Sequence, residues 1–142
     1  MLLLLTNHAL GFTPLPEAKR PFLCHVPDKV FIGTVVESKS YWHTKGIIHS
    51  KVKIKIERNL RNTTETTMDL EIVGGKVDAT QSWDTFFPLM PVNSRHLLFL
   101  TTVGVKSPVF SHFERLNPDE DLPSSESLQA LLASQCRGVP AP

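Results

Sequence analysis

Six histidines, two cysteines and a few aromatic clusters are the residues with chemistry to offer in this chain. The histidines stand at His8, His25, His43, His49, His96 and His112. Metal sites announce themselves by ligands at short, regular spacing, and here only Cys24 and His25 are close. Adjacent residues on an extended chain point opposite ways, so that pair is not a chelate. If the fold is a barrel, His49 and His112 could meet across strands. No metal and no cofactor is expected. The chain also lacks G-x-S-x-G, H-E-x-x-H, a phosphate loop and C-x-x-C, so no residue is assigned a catalytic role and an enzyme is not expected. Gly74-Gly75 has no lysine-serine tail and reads as a strand terminator.

Binding is the other chemistry on offer. In Lys51-Val52-Lys53-Ile54-Lys55-Ile56 the lysines alternate with branched aliphatics. Two readings follow. The lysines grip phosphates, with Tyr41 and Trp42 as stacking platforms for single-stranded nucleic acid, or they are the solvated back of a strand whose aliphatics fill a core. Phosphate binders carry a basic excess, whereas this chain has 15 basic and 14 acidic residues for a net charge of +1. The balance disfavours nucleic acid. The aromatics Trp83, Phe86 and Phe87 lie in a long connection, 76–94. Exposed, they and Tyr41-Trp42 would form a protein-partner surface, because aromatic residues lead interface hot spots. Folded back, they would plug one end of a barrel.

The elements that must position these residues are mostly strands. Four prolines at positions 14, 16, 21 and 27 make residues 11–27 an extended arm, since proline fixes φ and removes a donor. Val30 to Val36 is β-branched and aromatic, with Gly33 predicting a bulge or bend, and the strand continues towards Tyr41-Trp42. His43-Thr44-Lys45-Gly46 reads as a turn. Ile47 to Leu60 is a second strand with Val52, Ile54 and Ile56 inward. Thr66 to Val73 is a third, with Met68, Leu70 and Ile72 inward and Thr67, Asp69 and Glu71 facing the lysines across the hairpin. Arg95 to Val103 is the most apolar strand, and Val105 to Phe113 the last, at an edge because of Pro108. Ser124, Glu126 and the Leu128, Leu131, Leu132 stripe predict a terminal helix that Gly138 stops. The fold class expected is all-β, a five-stranded Greek-key barrel of the OB type with a C-terminal helix, with a β-sandwich as the alternative, since a strand count does not establish closure. Three segments result: an apolar, proline-rich arm at 1–22, the barrel at 23–116, and an acidic linker with the helix at 117–142.

At 142 residues and 41% hydrophobic content the chain can bury a core without metals or disulfides. The opening Met1-Leu2-Leu3-Leu4-Leu5 reads either as the remnant of a leader or as an apolar tail, because it lacks the basic start and cleavage site of a signal peptide. No segment approaches the roughly 20 apolar residues of a membrane helix. Cys24 and Cys136 either pair in an oxidising compartment or remain two separate thiols.

Val30-Phe31-Ile32-Gly33-Thr34-Val35-Val36, Leu70-Glu71-Ile72-Val73-Gly74-Gly75 and Asn93-Ser94-Arg95-His96-Leu97-Leu98-Phe99-Leu100 occur in an order that resembles the OB-fold netrin-like domains. Their best-known members are the tissue inhibitors of metalloproteinases, and the likeness is nearest to small bacterial exported relatives. It spans roughly residues 24–113. The resemblance implies an exported, secreted or periplasmic, non-catalytic interaction module, with Cys24 at the family's cysteine position and a bridge to Cys136. The implied partner is a protein, a protease among the candidates. The sequence departs from the inhibitors in having His25-Val26 after Cys24 and no second cysteine nearby.

Overall fold

The computed structural model describes residues 14–83, 90–103 and 107–142. A turn of 3-10 helix at Glu17–Lys19 leads into α1, Arg20–His25. Six strands follow: β1 Lys29–Thr44, β2 Ile47–Arg61, β3 Thr67–Val77, β4 Thr80–Trp83, β5 Arg95–Val103 and β6 Ser107–Leu116. The chain ends in α2, Ser125–Cys136. The strands form one antiparallel sheet in the order β4-β3-β2-β1-β5-β6, curled into a half-barrel.

Curling divides the core in two. Phe31 and Val35 of β1, Val52 and Ile54 of β2, Leu70 and Ile72 of β3, and Leu98 and Leu100 of β5 share one cluster, with Phe110 and Phe113 of β6 against it. Strands so far apart in the sheet order can share a cluster only on the inside of the curl. On the outer face Val30, Ile32, Leu60, Leu97 and Phe99 pack under the helices through Leu23, Leu128 and Leu132. Fully burying a side chain of this size contributes roughly 1.5–3 kcal/mol, so the two clusters dominate the fold's stability.

The expected barrel is corrected in three ways. Among the described residues there are six strands rather than five, and no ladder joins β3 or β4 to β6; Met68, Phe110 and Phe113 stand against the inner cluster instead. Gly74-Gly75 does not end its strand, because β3 runs on to Val77 and pairs with β4 through Gly74–Trp83 and Gly75–Ser82. Part of the 76–94 connection is therefore a hairpin, and Met90 beyond it is buried in the inner cluster. The arm at 11–27 is helical at Glu17–His25 rather than extended. Pro21 falls in the first turn of α1, where a missing N–H costs nothing.

Other expectations hold. Gly33 sits at a register shift between β1 and β2, where an added Cβ would lie 2.4 Å from Ile54 Cγ2. β6 with Pro108 is an edge strand. Ser124 Oγ accepts a bond from the Ser127 amide at 3.1 Å, capping α2. Cys24 on α1 and Cys136 at the end of α2 form a disulfide.

Three arginines strap the terminal segments to the sheet. Arg95 Nη2 pairs with Glu57 Oε2 at 3.2 Å while its Nη1 donates to the carbonyls of Asn117 and Glu120 at 3.1 and 2.6 Å. Arg58 Nε donates to the carbonyl of Pro123 at 2.6 Å. Arg61 Nη1 reaches the carbonyls of Leu23 and Pro27 at 3.2 and 2.9 Å. The acidic linker is thereby held against the sheet through its backbone.

Candidate functional site on the β1–β2 hairpin

β1 and β2 are the longest strands, and their turn carries Lys45 and Gly46 out beyond the helix-covered base. A bulge near Val36 decides what this end presents. Val35 pairs with Ile54, but Glu37 pairs with Lys53 and Ser38 with Val52. One extra residue reverses the alternation of β1. Without it, Tyr41 and His43 would point inward. With it, they share the outer face with His49, Lys51 and Lys53.

On that face five side chains meet across three strands. Tyr41 lies opposite His49 in the ladder, and Lys51 lies opposite Glu71. The Tyr41 hydroxyl donates to Glu71 Oε1 at 2.5 Å, and His49 Nδ1 donates to Glu71 Oε2 at 3.2 Å. The His43 and His49 rings stack with centroids 3.9 Å apart and planes 7° from parallel. Tyr41 stands edge-on to both. Lys51 Nζ lies 5.3 Å from the centre of the Tyr41 ring, a cation–π distance. The Tyr41 bond holds the Glu71 carboxyl below its usual range against the opposing effect of burial, with His49 adding to the lowering. The same bond pushes the Tyr41 hydroxyl up. One ligand atom from each of His43, His49 and Glu71 lies within 4.8 Å of the others.

Towards the base, an open groove of about 900 Å³ runs over Glu37, Lys39, Lys51, Lys53, Asp69 and Glu71. Its three cations and three anions lie in two rows across the ladder, Glu37–Lys53–Asp69 and Lys39–Lys51–Glu71, of which only the first alternates in sign. Lys53 faces Asp69 in register and pairs with Glu37 at 3.7 Å. A polyanion would meet as much repulsion as attraction here. Trp42 turns to the other side of β1, opposite Ile48, and is 45% exposed. Ile47, at the turn, is equally exposed.

Of the partner-binding residues read from the sequence, Tyr41 and Trp42 therefore lie on opposite faces and cannot form one stacking platform. Tyr41 is also committed to Glu71 and covered by Lys51. Trp83 ends β4 with its backbone paired to Gly74, and Phe86 and Phe87 lie outside the described residues. Cys24 and Cys136 bridge the two helices at the base. His49 does not meet His112, which instead packs edge-on against Phe99.

The cluster of His43, His49 and Glu71 was missed in sequence. Its signal was present: His43 and His49 stand six apart around the Lys45-Gly46 turn, a spacing that lets two residues face each other across a hairpin. Comparison with models of protein families, with curated proteins and with solved structures returned no match. Functional argument thus rests on the geometry.

Proposed function

We propose that this chain is an exported, non-catalytic protein-interaction module of the netrin-like OB kind, which contacts its partner through the tip of the β1–β2 hairpin. The observation that carries this reading is that the tip of the two-stranded β1–β2 arm exposes an apolar side chain on each of its faces, Trp42 on the side of Ile48 and Ile47 on the opposite side, so that a cleft can take the tip in from both sides. Tryptophan at such a position is the commonest kind of interface anchor. The partner that fits is an extracellular protein with an apolar cleft whose rim carries both charges, to match Lys51, Glu71 and the groove below them.

The strand order supports the fold half of the proposal. Omitting β4, the order β3-β2-β1-β5-β6 is that of a five-stranded OB barrel opened between its third and last strands. The Cys24–Cys136 bridge is consistent with an oxidising compartment, and among the described residues no helix is long and apolar enough to cross a membrane. A protease remains among the candidate partners, but not through a free amine at Cys24. That amide lies within α1, behind the fully buried Leu23, and freeing it would remove core residues.

The test is retention of a protein from the native extracellular fraction by wild-type chain and by a Trp42→Ala/Ile47→Ser variant. A specific band held by the former and weakened about 30-fold or more in the latter, the loss of one hot spot of about 2 kcal/mol, supports the reading. Equal retention by both contradicts it. Parallel titration of a labelled oligonucleotide at low salt addresses the nucleic-acid alternative, for which a flat polarisation signal is expected.

A further inference from the structure

We propose that His43, His49 and Glu71 form a binding site for a divalent transition-metal ion, with zinc or copper the best fit. The inference does not depend on the partner reading. The three residues come from three adjacent strands, so the ladder fixes their backbones relative to one another. A tetrahedral ion with bonds of about 2.0–2.1 Å holds its ligand atoms roughly 3.3 Å apart. His49 Nδ1 and Glu71 Oε2 are already 3.2 Å apart. The whole set lies within 4.8 Å, but the His43 and His49 rings are stacked with planes 7° apart and an imidazole binds an ion in its own plane, so closure requires His43 to leave the stack and turn a ring nitrogen towards the ion. His43 is exposed, one residue from the strand end and at a register shift of the ladder, so only its ring contacts with His49 and Tyr41 oppose that turn.

The donor set selects the ion. Two imidazoles and one carboxylate suit zinc, copper or nickel, whereas calcium and magnesium require oxygen shells. Tyr41 supplies the supporting bond that a ligating carboxylate needs, by donating to the oxygen of Glu71 that does not face His49. An ion seated between His49 and Glu71 takes the place of the shared hydrogen, and the imidazole proton moves from Nδ1 to Nε2, the other neutral tautomer. The remaining coordination positions open to solvent beside His43. Lys51 opposes binding, since its ammonium lies over Tyr41 on the same face.

Isothermal titration of the full, untagged chain with zinc chloride, and separately with copper sulfate, tests the proposal. One ion per chain is expected. His43→Ala and Glu71→Gln should each weaken binding about tenfold or more, and Lys51→Ala should strengthen it severalfold, an effect that a merely structural cluster would not produce. His25→Gln, on α1, should leave the affinity unchanged. Circular dichroism of the His43 variant, altered only at an exposed ring, separates lost ligation from lost folding. Binding that survives both His43→Ala and Glu71→Gln overturns the proposal, as does the absence of saturable binding in the wild type.

Discussion

His96 shows how a single residue couples this fold to pH. It is 1% exposed on the inner face of β5, opposite Gly33. The Ser94 hydroxyl donates to the carbonyl of Pro91 at 2.6 Å, so it must accept from His96 Nε2 at 2.7 Å. That fixes the neutral tautomer and leaves Nδ1 buried, without a hydrogen-bond partner among the described residues. Burial, with Arg115 adding to it, pushes the ring down from 6.5 to about 4. Between those values the unfolded chain binds a proton that the folded chain refuses. Stability from this group is complete above about pH 6.5 and falls away towards pH 4, by about 3 kcal/mol in all. His112, also lowered by burial, adds to the loss with the same sign. Urea midpoints across this window should slope less in His96→Leu than in wild type; parallel slopes would refute the assignment.

Glu57 and Arg95 make the other residue-scale case. Burial would push the Glu57 carboxyl up, but the Thr34 hydroxyl and Arg95 outweigh it and hold the group below its usual range. Glu57→Gln leaves the Arg95 guanidinium, 11% exposed, without its counter-charge. The cost is about 3 kcal/mol, the low end for an unpaired buried charge. Lys53→Ala breaks only the exposed pair with Glu37 and should cost under about 0.5 kcal/mol. Chemical denaturation at neutral pH compares them, and equal losses would contradict the strapping role of Arg95.

Among the elements, β3 is the one whose meaning changed most between sequence and structure. Its apolar alternation at Met68, Leu70 and Ile72 was legible, as were the Val52, Ile54 and Ile56 stripe of β2 and the Ser124 cap, because each rests on local periodicity or a local bond. The glycine pair was not. Gly75 is glycine because β3 passes against two serines: a Cβ there would lie 2.3 Å from both Ser40 Oγ and Ser50 Oγ, at a φ of +139°. Those serines bond to each other at 2.7 Å, and Ser50 donates to the carbonyl of Gly74 at 2.7 Å. Nothing local in the sequence tells such a passage from a stop. Gly75→Ala should cost roughly 2–4 kcal/mol, read as a fall in the thermal midpoint, and an unchanged midpoint would refute the close approach. The bulge near Val36 was hidden for a similar reason. A period-two pattern shows which residues share a face only while no residue is inserted, and Tyr41, Trp42 and His43 all lie beyond the insertion.

At the scale of the whole molecule, the disulfide and the helices it joins close the outer face. Leu15 and Leu23 at one terminus, and Leu128 and Leu132 at the other, cover the same six-residue apolar patch of the sheet. The bridge spans 112 positions, which corresponds to about 4–5 kcal/mol of stabilisation in the chain-entropy model. Reduction should therefore lower the denaturant midpoint sharply while the strand ladder, with its own inner core, persists longest. The pairing was implied by a resemblance rather than by any local signal, since two cysteines at opposite ends of a chain carry no pairing information of their own. The same bridge ties the fold to the claim that the protein works outside the reducing cytoplasm. Peptide mass spectrometry under non-reducing conditions, on protein recovered from its native compartment with thiols blocked at lysis, tests that claim most directly. The account predicts a Cys24–Cys136 linked peptide in nearly all of the material. Two separately alkylated cysteines would contradict it.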